Sequence, residues 1–328
     1  MNEVDVYVHA ATRANTRRSY TSAVRHFEEE WGGFLPASAD SIARYLARHA
    51  ELLSIATLRQ RLAALSRWHQ DHGFADPTKA PLVRQTMKGI QTVHPPQTRQ
   101  AVPLQIGQLS HAVTWLDHAI GTQGAVARLR HTRDKALLLL GFWRGFRSDE
   151  LIRLETQDVE LVPAQGMTCF LPRTKGDRQA AGRCFKVPAL SRLCPVAAYT
   201  AWKDLSGIEE GPVFRGIDQW GRIRVHGLHV NSVTPLLRSI FERAGLLSAD
   251  SFSSHSLRRG FANWANDNGW DVKSLMEYVG WRDVKSALRY IDGIPTVWGA
   301  RTRDKGGIYE YIPVMRTAFL IADSLREA

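Results

Sequence analysis

The stretch LLLLGFWRGFRSDELIRL, residues 137–154, decides how the chain is read. An apolar run fit for a core, Leu137 to Trp143, breaks off at Arg144-Gly-Phe-Arg147. An apolar pattern then restarts at once with Leu151, Ile152 and Leu154. A guanidinium is costly to bury unless something anionic meets it. Two arginines at the end of a buried segment are therefore either solvated at a helix end or held on a rigid element to bind an anion. Glu150 stands three residues after Arg147, one helical turn away.

The bulk properties narrow the choice of anion. The chain has 328 residues, enough for two domains whose cores need no covalent staples. Hydrophobic residues make up 44% and charged residues 23%, an ordinary soluble globular composition. A formal net charge of +11 favours a polyanionic partner, most often nucleic acid. No lysine- and arginine-rich amphipathic segment points to a membrane surface. The longest apolar stretch, ALLLLGFW at 136–143, is far short of the ~20 residues that span a bilayer. The N-terminal residues contain no apolar signal core. Cys169, Cys184 and Cys194 form no Cys-x-x-Cys pair, which argues against a disulfide framework and a zinc site and fits a reducing cytoplasm. His69-x-x-His72 and His226-x-x-His229 lack acid or thiol neighbours and read as surface or core histidines, so no metal site is expected.

The first hundred residues read as helical. Tyr20, Val24, Phe27 and Trp31 fall on one helical face, as do Ile42, Tyr45, Leu46 and His49. Leu58, Leu62, Leu65 and Trp68 or His69 make a third stripe, with Arg59, Arg61 and Arg67 off it. PLVRQTMKGI, from Pro81, is a fourth short helix. TVHPPQTRQAVPL, residues 92–104, has three prolines and no apolar period. The expected division is a helical domain over 1–94, a linker over 95–104, and a second domain over 105–328. In the second domain, 105–118 and 123–143 read as helices, and DELIRLETQDVEL runs from helix into strand. Residues 167–189 alternate around a Lys-Gly turn as strand, turn and strand. GPVFRG and GRIRV are short extended pieces. SSHSLRRGFANWANDNG is a serine-capped helix, and DVKSLMEYVGW a helix stopped by Gly280. The class is mainly α with a small antiparallel sheet.

The polar residues on these elements form a set. Arg147 and Glu150 share a turn, Lys175 sits at the hairpin tip, and His255 and Arg258 share a helix face. Trp281 follows Gly280, and Tyr290 comes nine residues later. Two arginines, a lysine, a histidine and a tyrosine suit attack by a phenol on a phosphodiester. Arginines bond non-bridging oxygens in pairs. A phenol with an unperturbed pKa of ~10 needs a base and an electropositive site to attack at neutral pH. A leaving oxygen needs a proton, which a hairpin lysine can deliver. Metal is not required where arginines stabilise the charge.

These residues resemble the tyrosine recombinases of the phage-integrase family. GFRSDEL at 145–151 resembles the family's first arginine box, RTKG at 173–176 its hairpin lysine, and HSLRRG at 255–260 its second arginine box. VGWRDVKSALRYI at 279–291 resembles the nucleophile segment. TRRSYTSAVRHF, TLRQRLAALSRWHQ and VRQTMKGI resemble the helical core-binding domain, so the resemblance covers nearly the whole chain. Most members have a second histidine where Trp281 stands, and tryptophan there resembles Cre-like members. The order and spacing of the boxes, not any one of them, carry the resemblance.

The resemblance implies a helical core-binding domain joined to a tyrosine-recombinase catalytic domain. It implies a site-specific recombinase, metal- and ATP-independent, that cuts and rejoins duplex DNA through a 3′-phosphotyrosine. Arg147 and Arg258 would clamp the scissile phosphate, Lys175 would be the general acid, and His255 would assist proton transfer at Tyr290, the nucleophile. Trp281 would donate a hydrogen bond to phosphate, and Glu150 would hold its neighbours in place. Arg59, Arg61, Arg67 and Arg259 are candidate DNA contacts. Arg144 and Arg259 are the alternatives to the chosen arginines, and Tyr278, Tyr309 and Tyr311 are rival nucleophiles, Tyr278 reading as core. No cofactor is expected. The implied partner is double-stranded DNA with an inverted-repeat site, bound by a monomer in solution that becomes a homo-tetramer on paired sites. A helical stripe through Val314, Ala318, Ile321 and Leu325 would dock on a neighbouring protomer. Two other classes remain in view: a catalytically silent DNA-binding protein and a type IB topoisomerase.

Overall fold

The structure is a computed structural model that describes residues 6–7, 12–95, 100–162, 165–174 and 181–291. The chain divides into two compact units, Met1–Arg99 and Gln100–Ala328.

In the first unit, α1 (Ala14–Arg25) opens into a π turn (His26–Glu30). It is followed by α2 (Ala39–Arg48), α3 (Ile55–Asp71) and α4 (Pro81–Val93). The sequence sets the boundaries. The hydroxyls of Ser38 and Ser54 accept from the amides of Ser41 and Thr57 at the starts of α2 and α3, and Pro81 pre-sets the first turn of α4. Phe27, Ile42, Tyr45, Leu46, Leu58, Leu65 and Val83 close the core. One stripe differs from its expectation. In the first helix Ala23 and Phe27 are buried, but Tyr20, Val24 and Trp31 are only partly so. Trp31 N–H reaches back five residues to His26 O in the π turn, and the Trp31 ring still packs on the core against Phe27 and Tyr45. His69, not Trp68, completes the third stripe. It is a core histidine, accepting from Ala37 N at Nε2 and facing Leu65 O through Nδ1.

The second unit is built around one buried helix. After α5 (Ile106–Thr122), α6 (Ala125–Arg144) is buried at every residue from His131 onward except half-buried Lys135. The four leucines 137–140 are each fully inaccessible, and truncating any one to alanine costs about 2–5 kcal/mol. Then come α7 (Ser148–Ile152) and the antiparallel sheet β1 (Val159–Val162), β2 (Gly166–Leu171) and β3 (Arg183–Pro188), in that order. The register pairs Cys169 with Phe185 and Phe170 with Cys184. After α8 (Pro195–Ser206), β4 (Arg215–Ile217) pairs antiparallel with β5 (Ile223–Gly227). The chain continues through α9 (Val233–Arg243), α10 (Ser254–Asp267), α11 (Val272–Val279) and α12 (Val284–Leu288). Helices α5, α8 and α10 pack on α6. The fold is thus mainly α with small antiparallel sheets.

Two glycines fix how the site is assembled. Gly145, at φ 61°, ends α6 in the left-handed conformation and turns the chain toward Arg147. Gly260 lets α10 meet residues 100–104 closely, because a side chain there would collide with the carbonyl of Leu104. The stretch expected as a linker therefore ends inside the second unit. Leu104 is fully buried, and its amide donates to Ser256 O at 3.0 Å. The expected C-terminal helix, with Tyr309 and Tyr311, lies outside the described residues.

Candidate active site

The chain leaves Gly145 and Phe146 and reaches Arg147, which caps α7 in an extended conformation instead of sitting within a helical turn. Its amide donates to Glu150 Oε2 at 2.9 Å and its Nη1 to Oε1 at 2.6 Å. One carboxylate thus fixes both the backbone and the guanidinium of Arg147, and Glu150 is itself buried. From α10, Arg258 enters the same place, 1% exposed. Its Nη1 donates to Gly145 O at 2.6 Å and lies 3.6 Å from Glu150 Oε2. Its Nη2 reaches the carbonyl of Val279 at 3.4 Å. Burial lowers the pKa of Arg258 to about 9, with Arg147 pushing the same way and Glu150 opposing. The guanidinium stays charged at neutral pH, and among the described residues Glu150 is the one carboxylate facing both cations.

Tyr290 comes over this pair from the other side. Asp283 caps α12 by accepting from Ser286 N, and the chain turns out of α12 with Tyr290 N bonded to Ala287 O. The Tyr290 hydroxyl is 3.1 Å from Nδ1 of His255, in the first turn of α10. Arg258 stands three residues on from His255, so a single helix carries the base candidate and the cation. The ring of Tyr290 stacks on Trp281 at 5.3 Å and 28°. The Arg258 guanidinium carbon lies 5.0 Å from the Trp281 ring centre and 5.5 Å from that of Tyr290. Trp281 is 5% exposed, and its indole Nε1 has no hydrogen-bond partner among the described residues. A buried donor without an acceptor is rare unless a ligand supplies one.

Residues 122–294 match the phage integrase family. A relative from Selenomonas ruminantium, an integrase/recombinase xerD homolog, is 31% identical over 263 residues, 79% of this chain and 74% of its own. The chain belongs to the phage integrase family. It is a tyrosine recombinase by descent, and its family comprises site-specific recombinases. The recombinase Cre of Escherichia phage P1 is 24% identical over 302 residues, 87% of this chain and 84% of its own. Among solved structures, the Tn1549 transposon integrase in complex with circular intermediate DNA superposes with a TM-score of 0.59 at 16% identity, covering 89% of this chain and 94% of that one. A lambda integrase dimer bound to a COC′ core site gives 0.56 at 14% identity, covering 90% and 77%. These two likenesses are of fold.

Around the recombinase centre the structure sorts the other candidates. Arg147, Glu150, His255, Arg258, Trp281 and Tyr290 come together. Lys175 lies outside the described residues. Its flank is anchored, since Arg153 donates to the carbonyl of Arg173 at 3.0 Å. Arg259, expected at the DNA backbone or in solvent, is 6% exposed. Burial lowers its pKa, and nearby Tyr290 opposes that shift. The following Gly260 presses this turn of α10 against Leu104, so Arg259 is drawn inward. Tyr278 hydrogen-bonds Trp143 O through its hydroxyl at 2.9 Å and belongs to the packing of the second unit. Of the three α3 arginines, Arg59 and Arg67 are exposed, bonded to Gln91 and Asp71. Arg61 instead turns inward and donates to Tyr45 Oη at 2.7 Å. One residue escaped the sequence reading of the site, and one weighed alternative lies close to it. Arg183 on β3 donates to Glu277 O at 2.7 Å, securing the end of α11 just before Trp281. Arg144, set aside in favour of Arg147, is buried beside it. Neither carries a local signal, because their partners lie far along the chain.

Proposed function

We propose that this recombinase cuts and rejoins duplex DNA through a 3′-phosphotyrosine formed on Tyr290. The observation that carries the proposal is the 3.1 Å contact between the Tyr290 hydroxyl and His255 Nδ1, over the Arg147–Glu150–Arg258 cluster. His255 with a bare Nδ1 accepts the phenolic proton as the tyrosyl oxygen bonds to phosphorus. Arg147 and Arg258 bind the non-bridging oxygens, and the indole N–H of Trp281 donates to one of them. The bond from phosphorus to the 5′-oxygen breaks, and Lys175 protonates that oxygen. The products are a 3′-phosphotyrosine and a free 5′-hydroxyl, so the phosphodiester bond energy is kept. A second 5′-hydroxyl then reverses the step, which needs neither ATP nor a metal.

The partner is double-stranded DNA carrying inverted repeats. Relatives solved as DNA complexes, such as the lambda integrase dimer on its core site, support a DNA substrate. The first unit acts as the core-binding domain, with Arg59 and Arg67 facing the backbone. A chain monomeric in solution assembles into a tetramer on paired sites through its C-terminal helix. The reaction runs in the cytoplasm, and among the described residues no helix is long and apolar enough to cross a membrane.

The test uses the DNA that the purified protein protects from nuclease, nicked beside the cleavage point so that the cut strand diffuses away. Wild type accumulates a covalent protein–DNA band on a denaturing gel. Tyr290→Phe binds the same DNA and forms none. A covalent band surviving in Tyr290→Phe overturns the assignment.

A further inference from the structure

Arg144 is the last residue of α6 and is 4% exposed. Its guanidinium carbon lies 4.1 Å from the ring centre of Tyr278, 4.6 Å from that of Phe185 and 5.8 Å from that of Phe146. Among the described residues, its buried Nε and Nη1 have no hydrogen-bond partner. No ion pair joins it to a carboxylate among the described residues. Glu150 is the carboxylate whose charge reaches it, and Glu150 is already bonded to Arg147 and close to Arg258. An aromatic cage holds a cation by its ring faces and leaves the charge uncancelled. A buried cation of this kind is costly, and a methionine or leucine would fill the volume without the penalty.

The charge count suggests what that cost supports. Arg147 and Arg258 against Glu150 leave one net positive charge, which matches the single negative charge of a resting phosphodiester. When Tyr290 adds as its oxyanion, its proton going to His255, the phosphoryl group moves toward two negative charges. Arg144 adds one more positive charge to those of Arg147, Arg258, Arg259 and Lys175. It is fixed before the reaction begins, in a site where water cannot screen it.

We infer that Arg144 is a positioning residue for the strand-cleavage reaction: from its cage of Tyr278, Phe185 and Phe146 it supplies a fixed, uncancelled positive charge behind Arg258 that stabilises the doubly charged transition state. It does so without touching DNA. Its charge reaches Arg258, whose Nη1 donates to the carbonyl of the adjoining residue, Gly145. Burial holds Arg144 near a pKa of about 10, so the charge persists at neutral pH. The cage gives it a second connection. Tyr278 lies three residues before Trp281 on the segment that Arg258 and Arg183 also hold, through Val279 O and Glu277 O. This inference rests on the phosphotyrosine reading.

The experiment measures single-turnover cleavage of nicked DNA by wild type, Arg144→Met and Arg144→Lys across pH, with Tyr290→Phe as the blank. The amplitude counts competent molecules and the rate constant reads the chemistry, so partial unfolding does not obscure the result. Arg144→Met is expected to bind DNA as wild type does and to cleave about tenfold or more slowly. Arg144→Lys keeps the charge and restores most of the rate at neutral pH. Its caged ammonium loses its proton more easily than a guanidinium, so its rate falls at a lower pH in alkali than the wild-type rate does. That falling limb can be read on Arg144→Lys alone if Arg144→Met does not fold. A wild-type rate constant in Arg144→Met overturns the inference, as does an Arg144→Lys rate whose alkaline fall comes no earlier than that of the wild type. No covalent product from wild type would instead overturn the phosphotyrosine reading.

Discussion

Two polar clusters in this chain look alike on paper and differ in one respect. In the first unit, fully buried Tyr45 accepts from Arg61, pairs with His26 Nδ1, and lies against His49, while His26 Nε2 reaches Glu30 at 3.3 Å. Each polar group there meets another within the unit. In the second unit, Arg147, Glu150, Arg258, Trp281 and Arg144 are packed as closely, yet Arg144 Nε and Nη1, Arg258 Nε and Trp281 Nε1 are buried without acceptors among the described residues. The first cluster is complete without a ligand. The second has donors and positive charge in excess, arranged around a tyrosine. Polar burial alone therefore does not mark a site, whereas a surplus of one sign and one hydrogen-bonding role does.

Substitutions should act differently on the two clusters. The largest effect belongs to the second. Arg258→Ala or Arg147→Ala should slow cleavage by about 10²–10³-fold with DNA affinity little changed, as when an oxyanion donor is removed. A wild-type single-turnover rate in either would make that arginine structural. In the first cluster the effect should be on stability. Tyr45→Phe strands the Arg61 and His26 groups and should cost about 1–3 kcal/mol in denaturant unfolding, with the cleavage rate constant unchanged. A rate loss there would break the contrast.

A pH prediction sharpens it further. Asp76 is largely buried beside α3. Burial acts to raise its carboxyl pKa, but hydrogen bonds from Ser66, Thr78 and Lys79 outweigh burial and hold it at about 2, below its ordinary 3.8. A depressed folded-state pKa gives stability that is present above pH 3.8 and lost as pH falls toward 2. The loss should be about 1–2 kcal/mol. Asp76→Asn should flatten that acid slope, and an unchanged slope would remove Asp76 from the ledger of acid sensitivity. The smallest effect is on a single donor. Trp281→Phe keeps the ring stacked on Tyr290 and removes only the indole N–H, and should slow cleavage about tenfold or less. An unchanged rate would show that this donor does not meet the phosphate.

Periodicity made the helices of both units legible, and the boxes made the grouping of Arg147, Glu150, His255, Arg258, Trp281 and Tyr290 legible before any coordinates. Side-chain direction was not. Arg59, Arg61 and Arg67 share a helix and a charge, yet Arg61 turns inward because Tyr45, sixteen residues earlier, offers it an acceptor. Arg259 follows Arg258 directly but is buried because Gly260 brings residues 100–104 against that turn. The turn at His26–Glu30 is a π turn where a 3.6-residue count expects an α turn. The cage of Arg144 joins residues from β3 and α11 to the end of α6, contacts that no local pattern encodes.

The most direct test of the contrast is to identify the covalent junction itself. DNA bearing the protected site is reacted with wild-type protein, digested with protease and nuclease, and the modified peptide is sequenced by mass spectrometry. If the unpartnered donors of the second unit surround a reacting phosphate, the nucleotide is attached through its 3′-phosphate to Tyr290. Attachment to another tyrosine, a 5′-phosphate linkage, or no adduct under conditions of full DNA occupancy would contradict it.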